Sequence, residues 1–320
     1  MAETAAAPQA PPRETTFRAF SKDQSDNYAV SRRDYHATLY NAVVEHHKST
    51  GGEFDTILDV GCGPGFAVRA LAPLFKHAVA IDPSEGMIKT AQSITDVSTH
   101  AIRFGISTAE DLGSDLSPPI AESSVDLLVA ATCAHWFDMP KFWARAARVV
   151  KPGGTVAIWV ASGISIAPTV PNHAAIQSAI DKLEALVDDY MVPGNRLARG
   201  LYVDLPLPWA LETPVPEFND ISFVRKEWGT GDDSFPCNQF YAVQPSESFS
   251  LQILEKIMGT SSPIIRWREA HPETVGTEDD IVRITRREIE CALREAGVAE
   301  DEGLWEGGVY GALLLVKRKA

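Results

Sequence analysis

The stretch DVGCGPG, residues 59–65, lies between two different hydrophobic patterns. Residues 56–60 form a short apolar run of the kind found in buried strands, and residues 66–75 have the spacing of a helix. Glycines in a turn between a strand and a helix let the backbone approach a ligand closely. This stretch therefore predicts a ligand-binding turn in a βα unit.

The spacing of the glycines separates three kinds of nucleotide site. A dinucleotide fingerprint needs a third glycine where Phe66 stands, and a P-loop needs a GK[ST] ending that the turn lacks. The remaining pattern is [DE]xGxGxG, with Asp59 just before Gly61 and Gly63. Here an acidic side chain can meet an α-amino group while the glycines admit a ribose. We expect S-adenosylmethionine as the cofactor; a tight turn without a ligand is the alternative.

A second acidic residue, Asp82, follows the next predicted strand at residues 78–81. A carboxylate at this place can accept hydrogen bonds from two ribose hydroxyls. The alternative is that Asp82 only caps the helix that begins near Ser84. Its combination with the glycine turn favours the ribose contact.

Short apolar runs alternate with helical patterns over residues 55–160, which predicts a parallel sheet with crossover helices. Strands are expected at 56–60, 78–81, 102–106, 125–131, 155–160, 221–227 and 308–317, with a turn at 151–154. Helices are expected at 66–75, from 84 onward, and at 141–150, 172–190, 248–258 and 281–296. The predicted fold class is α/β, a Rossmann-like, seven-stranded, mostly parallel sheet with helices on both faces.

The chain divides into five predicted segments. Residues 1–16 are expected to be a disordered tail and residues 17–50 a helical flap. The cofactor-binding core is expected at residues 51–160, followed by a helical and Pro-rich insertion or lid at 161–217. Residues 218–320 are then expected to complete the sheet and the substrate pocket.

The 320 residues include 29 Lys and Arg against 43 Asp and Glu, a formal net charge of −14. Nucleic acid is disfavoured as a partner, because binding to phosphates requires cationic side chains. The sequence has no apolar run of bilayer length, no signal-peptide pattern and no zinc-type spacing among its four cysteines. We expect a cytoplasmic monomer or homodimer that binds a small-molecule acceptor, without metal, membrane or nucleic acid.

Residues 59–65 resemble motif I of class I S-adenosylmethionine-dependent methyltransferases, and the order of elements over 56–160 resembles that of their sheet. Three further features are similar to the fungal trans-aconitate methyltransferase-like group: CAHWFD at 133–138, TVAIW at 155–159, and the spacing of Tyr28, Arg32 and Tyr35. The similarity covers about residues 23–159, and the chain from residue 161 onward shows no specific match.

The resemblance implies a cofactor site built from the flap and the strand ends. Its expected residues are Tyr28, Arg32, Asp59, Gly61, Gly63, Asp82, Met87, Thr108, Ala109 and Thr132. The glycine turn would contact the methionine part of the cofactor, Asp82 the ribose, Met87 the adenine, and the Ala109 N–H the ring. Thr108 stands where many relatives have Asp.

The resemblance places the acceptor beside the end of the fourth strand. The expected pocket residues are His135, Trp136, Phe137 and Trp159, with His135 as a candidate general base. Aromatic rings there can stabilise a sulfonium by cation–π attraction, although Trp136 and Phe137 are also plausible core residues. His135 has a similar alternative as a hydrogen-bonded core histidine.

The expected function is transfer of a methyl group to an oxygen of a small metabolite, in secondary metabolism. Displacement at a sulfonium depends mainly on positioning. A carboxylate acceptor needs no base, whereas a hydroxyl acceptor benefits from one. Two alternatives stay open: a methyltransferase-like cyclase or regulator that binds the cofactor, and an NAD-dependent oxidoreductase, which Phe66 disfavours.

Overall fold

Seven strands and ten α-helices make up the described part of the chain. The computed structural model describes residues 15–32, 34–96, 101–229, 251–298 and 307–320. The strands are β1 (Thr56–Val60), β2 (His77–Asp82), β3 (Ile102–Ile106), β4 (Val125–Ala131), β5 (Val150–Ile166), β6 (Val224–Trp228) and β7 (Gly307–Lys317). The helices are α1 (Lys22–Ser31), α2 (Ala37–Ser49), α3 (Phe66–Leu71), α4 (Glu85–Ile94), α5 (Met139–Val149), α6 (His173–Leu186), α7 (Pro193–Arg199), α8 (Leu251–Gly259), α9 (Ser262–Ala270) and α10 (Ile281–Glu295).

The strands form one sheet in the order β3-β2-β1-β4-β5-β7-β6. β1 to β5 pair in parallel, and β7 runs antiparallel between β5 and β6. A parallel sheet needs cover on both faces, which explains why β1 and β4 are almost continuously apolar and buried. The carboxyl ends of β1, β2 and β4 therefore meet along one edge, and the predicted fold class is confirmed.

Each face of the sheet has its own hydrophobic core, because successive side chains of a strand point to opposite faces. Leu58 of β1 packs with Phe142 and Trp143 of α5 on one face, and Ile57 packs with Leu39 of α2 on the other. A third cluster joins α6, α8, α9 and α10 at the far end of β5. None of the helices within the described ranges is long and apolar enough to cross a membrane.

β5 differs from the prediction in two ways. The expected turn at 151–154 is wrong, because these residues continue the strand: Gly153 N–H donates to Arg318 O (3.0 Å) and Arg318 N–H donates to Gly154 O (3.0 Å). A register shift between Val125 and Leu127 accommodates the extra length opposite β4. The strand also continues beyond residue 160 to Ile166, because β7 pairs with it over that length.

Other elements follow the predicted pattern more closely, with shifted ends. The expected helix at 66–75 ends at Leu71 and continues as a 3₁₀ turn, and α9 had not been predicted. The Pro-rich part of segment 161–217 packs into the core on the α5 face of the sheet, where Tyr202 and Leu205 are 1% and 3% exposed. Nearly all of the predicted tail and the start of the expected helix at 248–258 lie outside the described residues.

A buried chain of hydrogen bonds attaches α2 to the sheet. His47 Nε2 lies 2.7 Å from Glu53 O and Nδ1 lies 2.7 Å from Thr155 Oγ1. Lys317 Nζ donates to the same Thr155 oxygen at 3.1 Å. Burial lowers the pKa of His47, and the positive charge of Lys317 lowers it further. The neutral imidazole is thus part of the folded state.

We predict that protonation of His47 weakens the fold. Its folded-state pKa lies below the ordinary value of 6.5, so its contribution to stability is complete above that pH and is lost as the pH falls through the folded-state pKa. From about pH 7 to about pH 5, the urea midpoint of the wild type should fall more steeply than that of His47→Gln, which does not titrate there. The exposed His77→Gln is the control and should keep the wild-type slope; identical slopes for wild type and His47→Gln would contradict the assignment.

Candidate functional site

The glycine turn after β1 has a backbone that only glycine adopts easily. Gly61, Gly63 and Gly65 have φ of +64°, +52° and +85°. A Cβ on Gly61 would lie 2.9 Å from Cys133 Sγ, because the turn packs tightly against the end of β4. A Cβ on Gly63 would meet no protein atom within 4 Å, so this glycine borders open space.

Asp59 supports the turn from inside. Its Oδ2 accepts the Val68 N–H at 3.0 Å and thereby caps α3. The residue at the N-cap position, Gly65, has no side chain that could do so. Burial, together with the nearby charge of Asp82, raises the pKa of Asp59 to about 7. Its Oδ1 is buried without a hydrogen-bond partner among the described residues. Asp59 therefore shapes the turn and has one acceptor to spare.

Asp82 joins the turn to β2. Its Oδ2 accepts the Gly63 N–H at 2.9 Å and its Oδ1 accepts the Ser84 N–H at 2.8 Å. The helix cap is Ser84 itself, whose hydroxyl accepts the Met87 N–H. Asp82 is thus not merely a cap: it links the turn to β2 and lines the cavity beside the turn.

A cavity of about 130 Å³ lies against this turn and is called the turn cavity. It brings together most of the predicted cofactor residues: Tyr28, Gly61, Gly63, Asp82, Met87, Ala109 and Thr132. Three predicted residues do not line it. Asp59 is buried behind the turn, Arg32 lines a different cavity, and Thr108 hydrogen-bonds Asp111 through its hydroxyl (2.8 Å) to close a local turn.

A second cavity of about 530 Å³ adjoins the first and is called the apolar cavity. Most of its wall comes from the chain after residue 161, with side chains that include Ile164, Ile180, Leu183, Leu254, Met258 and Ile264. Five charged or imidazole side chains also line it: Arg32, Asp34, His135, Glu184 and Arg199. The sequence does not predict the residues of this wall, because they are distant from one another in the chain.

Five aromatic side chains line both cavities and are called the aromatic junction. They are Phe17, Tyr28, Tyr35, Phe66 and Trp136. Phe17 contacts Tyr28 edge to face with ring centroids 5.8 Å apart, and its ring lies 6.4 Å from that of Trp136. The junction joins the N-terminal helices to the end of β4. Only Tyr28 and Trp136 were predicted site residues, although Tyr35 belongs to the spacing noted in the sequence.

Thr132, at the end of β4, connects the two cavities to the sheet. It has a left-handed backbone with φ of +54°, which is strained for a β-branched residue. Its Oγ1 accepts the Tyr35 hydroxyl at 3.0 Å and the Ala161 N–H at 3.3 Å. Both contacts hold Thr132 in this conformation, so Tyr35 and Ala161 determine how Thr132 lines the cavities.

The four predicted acceptor residues lie in different places. His135 lines the apolar cavity, Trp136 lines both cavities, and Phe137 lines the turn cavity. Trp159 was wrongly predicted as a pocket residue. It is fully buried on the other side of β5, where Tyr35 and Tyr40 contact it edge to face.

His135 is held by a tyrosine from the Pro-rich segment. Its Nδ1 lies 2.7 Å from Tyr202 Oη. Burial lowers the pKa of His135 to about 3. The imidazole is therefore neutral over the physiological range and is a weak base.

The residues fit S-adenosylmethionine on two observations. The open space beside Gly63 admits a ligand where any other residue would place a Cβ. The Asp82 carboxylate lines the same cavity, where its oxygens can accept hydrogen bonds from a ligand.

Comparison with known proteins finds similarity over the part of the chain that contains the glycine turn and Asp82. The family model of the methyltransferase domain matches residues 58–158. A protein of Dictyostelium discoideum described as a methyltransferase is 29% identical over 181 residues, which are 57% of this chain and 63% of that protein. CRG1 of Saccharomyces cerevisiae, described as an S-adenosylmethionine-dependent methyltransferase, is 31% identical over 138 residues, 42% of this chain and 45% of that protein. The chain thus matches less than two thirds of either relative.

A solved structure shows the same fold. The protein, described as a type II methyltransferase from Anaeromyxobacter dehalogenans, is 23% identical, with a TM-score of 0.56, and the match covers 90% of this chain and 97% of that chain. Together the comparisons confirm the resemblance to class I methyltransferases over residues 58–158 and in the fold.

We predict that Gly63→Ala impairs cofactor binding through the new methyl group. Gly51→Ala is the matched control, because Gly51 also has a positive φ (+80°) with no atom within 4 Å of its Cβ position, and it lies outside both cavities. Both variants should lose about 1–2 kcal/mol of stability from the left-handed backbone. In calorimetric titration with S-adenosylhomocysteine, only Gly63→Ala should weaken binding, by about tenfold or more. Equal affinities would place the cofactor elsewhere.

Proposed function

We propose that this protein, whose residues 58–158 match a methyltransferase domain, binds S-adenosylmethionine and transfers its methyl group to an oxygen of a small and largely apolar molecule. One observation carries the proposal: the turn cavity and the apolar cavity share the aromatic junction as a common wall. A cofactor in the first cavity and an acceptor in the second would meet there.

The aromatic junction is suited to this reaction. When bound, S-adenosylmethionine supplies a methyl group on a positively charged sulfur. The rings of Tyr28, Phe66 and Trp136 give the space between the two cavities an aromatic lining and offer π faces that attract a cation. Holding the two reactants in a dry space at reacting distance supplies most of the rate enhancement for such a displacement.

The dimensions of the apolar cavity favour a small acceptor. A volume of about 530 Å³ suits a drug-sized molecule, and predominantly hydrophobic walls are typical of such sites. A tricarboxylate would place three charges against these walls, at a cost that few polar groups here offset. An acceptor with an apolar body and one or two polar groups fits better.

Arg32 supports oxygen as the acceptor atom. It lines the apolar cavity, and its guanidinium lies 5.4 Å from the centroid of the Tyr28 ring at the aromatic junction. A positive charge there attracts an anionic oxygen and repels a protonated amine. The acidic groups of this cavity are Asp34 and Glu184, and Asp34 already accepts the Tyr40 hydroxyl at 2.6 Å and the Tyr35 N–H at 2.7 Å.

The test is direct identification of the product. The full chain is incubated with a metabolite extract and trideuteromethyl S-adenosylmethionine, and mass spectrometry should find a new trideuteromethyl ester or ether. A labelled amine would overturn the choice of oxygen. Tight binding of S-adenosylhomocysteine together with no labelled product from any extract would instead favour a cofactor-binding cyclase or regulator.

We predict that filling the apolar cavity impairs acceptor binding alone. Ile257 of α8 lines this cavity and not the turn cavity. Ile257→Trp should lower kcat/KM for the acceptor about tenfold or more, because the larger side chain occupies acceptor space, and should leave the Kd for S-adenosylhomocysteine within about twofold.

The control for this variant is Gln252→Trp, which introduces the same side chain at an exposed position of the same helix. It should change neither quantity. A normal kcat/KM for Ile257→Trp, with a normal melting temperature, would show that the acceptor binds elsewhere.

A further inference from the structure

The hydrogen bond between His135 and Tyr202 joins residues that are 67 positions apart in the sequence. The backbone that carries Tyr202 is strained. Leu201 and Tyr202 are consecutive residues with left-handed backbones, with φ of +51° and +60°. This conformation costs roughly 1–2 kcal/mol for each residue other than glycine. Tyr202 is only 1% exposed, so packing holds it in place. Strain of this kind persists where the surroundings position a functional group.

The direction of this hydrogen bond follows from the burial of the phenol. Tyr202 is 1% exposed, and among the described residues His135 Nδ1 is the hydrogen-bond partner of its hydroxyl, 2.7 Å away. Burial keeps the pKa of Tyr202 well above its ordinary value, so the hydroxyl retains its proton. A buried O–H without an acceptor is costly, and His135 Nδ1 is the acceptor within its reach.

We infer that Tyr202 donates its hydroxyl hydrogen to His135 Nδ1 and so fixes His135 as the neutral tautomer with hydrogen on Nε2. His135 lines the apolar cavity, and Nε2 is the ring nitrogen that Tyr202 leaves for the acceptor. His135 then acts as a hydrogen-bond donor to the acceptor molecule, and Tyr202 is a positioning residue. This assignment replaces the role of general base that the sequence suggested for His135.

The tautomer restricts the chemistry of the acceptor. A nitrogen that carries hydrogen cannot take a proton from a hydroxyl group, whereas it can hold an oxygen that is already an anion. The attacking oxygen therefore arrives already deprotonated, and His135 aligns it. This consequence rests on the proposed function, but the tautomer is a property of the chain alone and can be measured without substrate.

The first test is nuclear magnetic resonance of the full-length, ¹⁵N-labelled protein. Long-range ¹H–¹⁵N correlation spectra distinguish the two neutral tautomers, and His135→Gln identifies the signals of this residue. The Nε2–H form is expected in the wild type at neutral pH, and Tyr202→Phe should give a mixture of tautomers because Nδ1 loses its donor. The Nδ1–H form in the wild type, or no change in Tyr202→Phe, would overturn the inference.

Tyr40→Phe is the matched control for this experiment. Tyr40 is also a buried tyrosine whose hydroxyl donates to a single partner, Asp34 Oδ1, and it lines neither cavity. Its variant loses a buried hydroxyl without touching His135, so the His135 signals should stay at their wild-type positions. A change as large as that in Tyr202→Phe would show a general effect of packing and would remove the support for Tyr202 as the donor.

The second test compares two replacements of His135 once an acceptor is known. A glutamine amide can donate a hydrogen bond but cannot serve as a general base, whereas alanine does neither. His135→Gln should therefore keep kcat within about fivefold, and His135→Ala should raise the KM of the acceptor about tenfold. A loss of about a hundredfold or more in His135→Gln, as expected on removing a general base, would overturn the donor role.

The two tests fail in different ways. If the protein methylates nothing, the proposed function is wrong, but the spectra still test the tautomer of His135 independently. If methylation occurs and the spectra show the Nδ1–H form, the proposed function survives and the role of Tyr202 does not.

Discussion

The hydrogen bond from the Gly63 N–H to the Asp82 carboxylate is the contact on which the site depends. It ties the turn after β1 to the end of β2, while Asp59 caps α3 from below the same turn. Two buried carboxylates so close together repel each other, which contributes to the raised pKa of Asp59. A ligand with positive charge relieves this repulsion. The turn is thus electrostatically suited to a cofactor that carries an ammonium and a sulfonium group.

The rest of the site is positioned relative to this turn. The N-terminal helices reach it through Tyr35, whose hydroxyl binds Thr132 at the end of β4. From the other direction, β5 and β7 extend beyond the parallel strands to Ile166 and carry the helices that enclose the apolar cavity. The two cavities meet because these separate parts of the chain converge on the carboxyl ends of the strands, where parallel sheets place their ligands.

The net charge of −14 describes the surface of the protein more than its interior. Within the apolar cavity the walls are mainly hydrophobic, and Arg32 provides a positive charge beside the aromatic junction. The same apolar surroundings lower the pKa of His135, so that desolvation changes its chemistry from that of an ordinary surface histidine. Charge counted over the whole chain therefore gives little information about the acceptor.

The sequence by itself determined the sheet and the glycine turn, because these depend on local signals: hydrophobic period, glycine spacing, and acids at strand ends such as Asp82. It could not determine which face of β5 receives Trp159, since strand pairing decides where each side chain points. Nor could it determine the wall of the apolar cavity or the contact between His135 and Tyr202. Those features arise only when distant segments pack together, and no local pattern encodes that proximity.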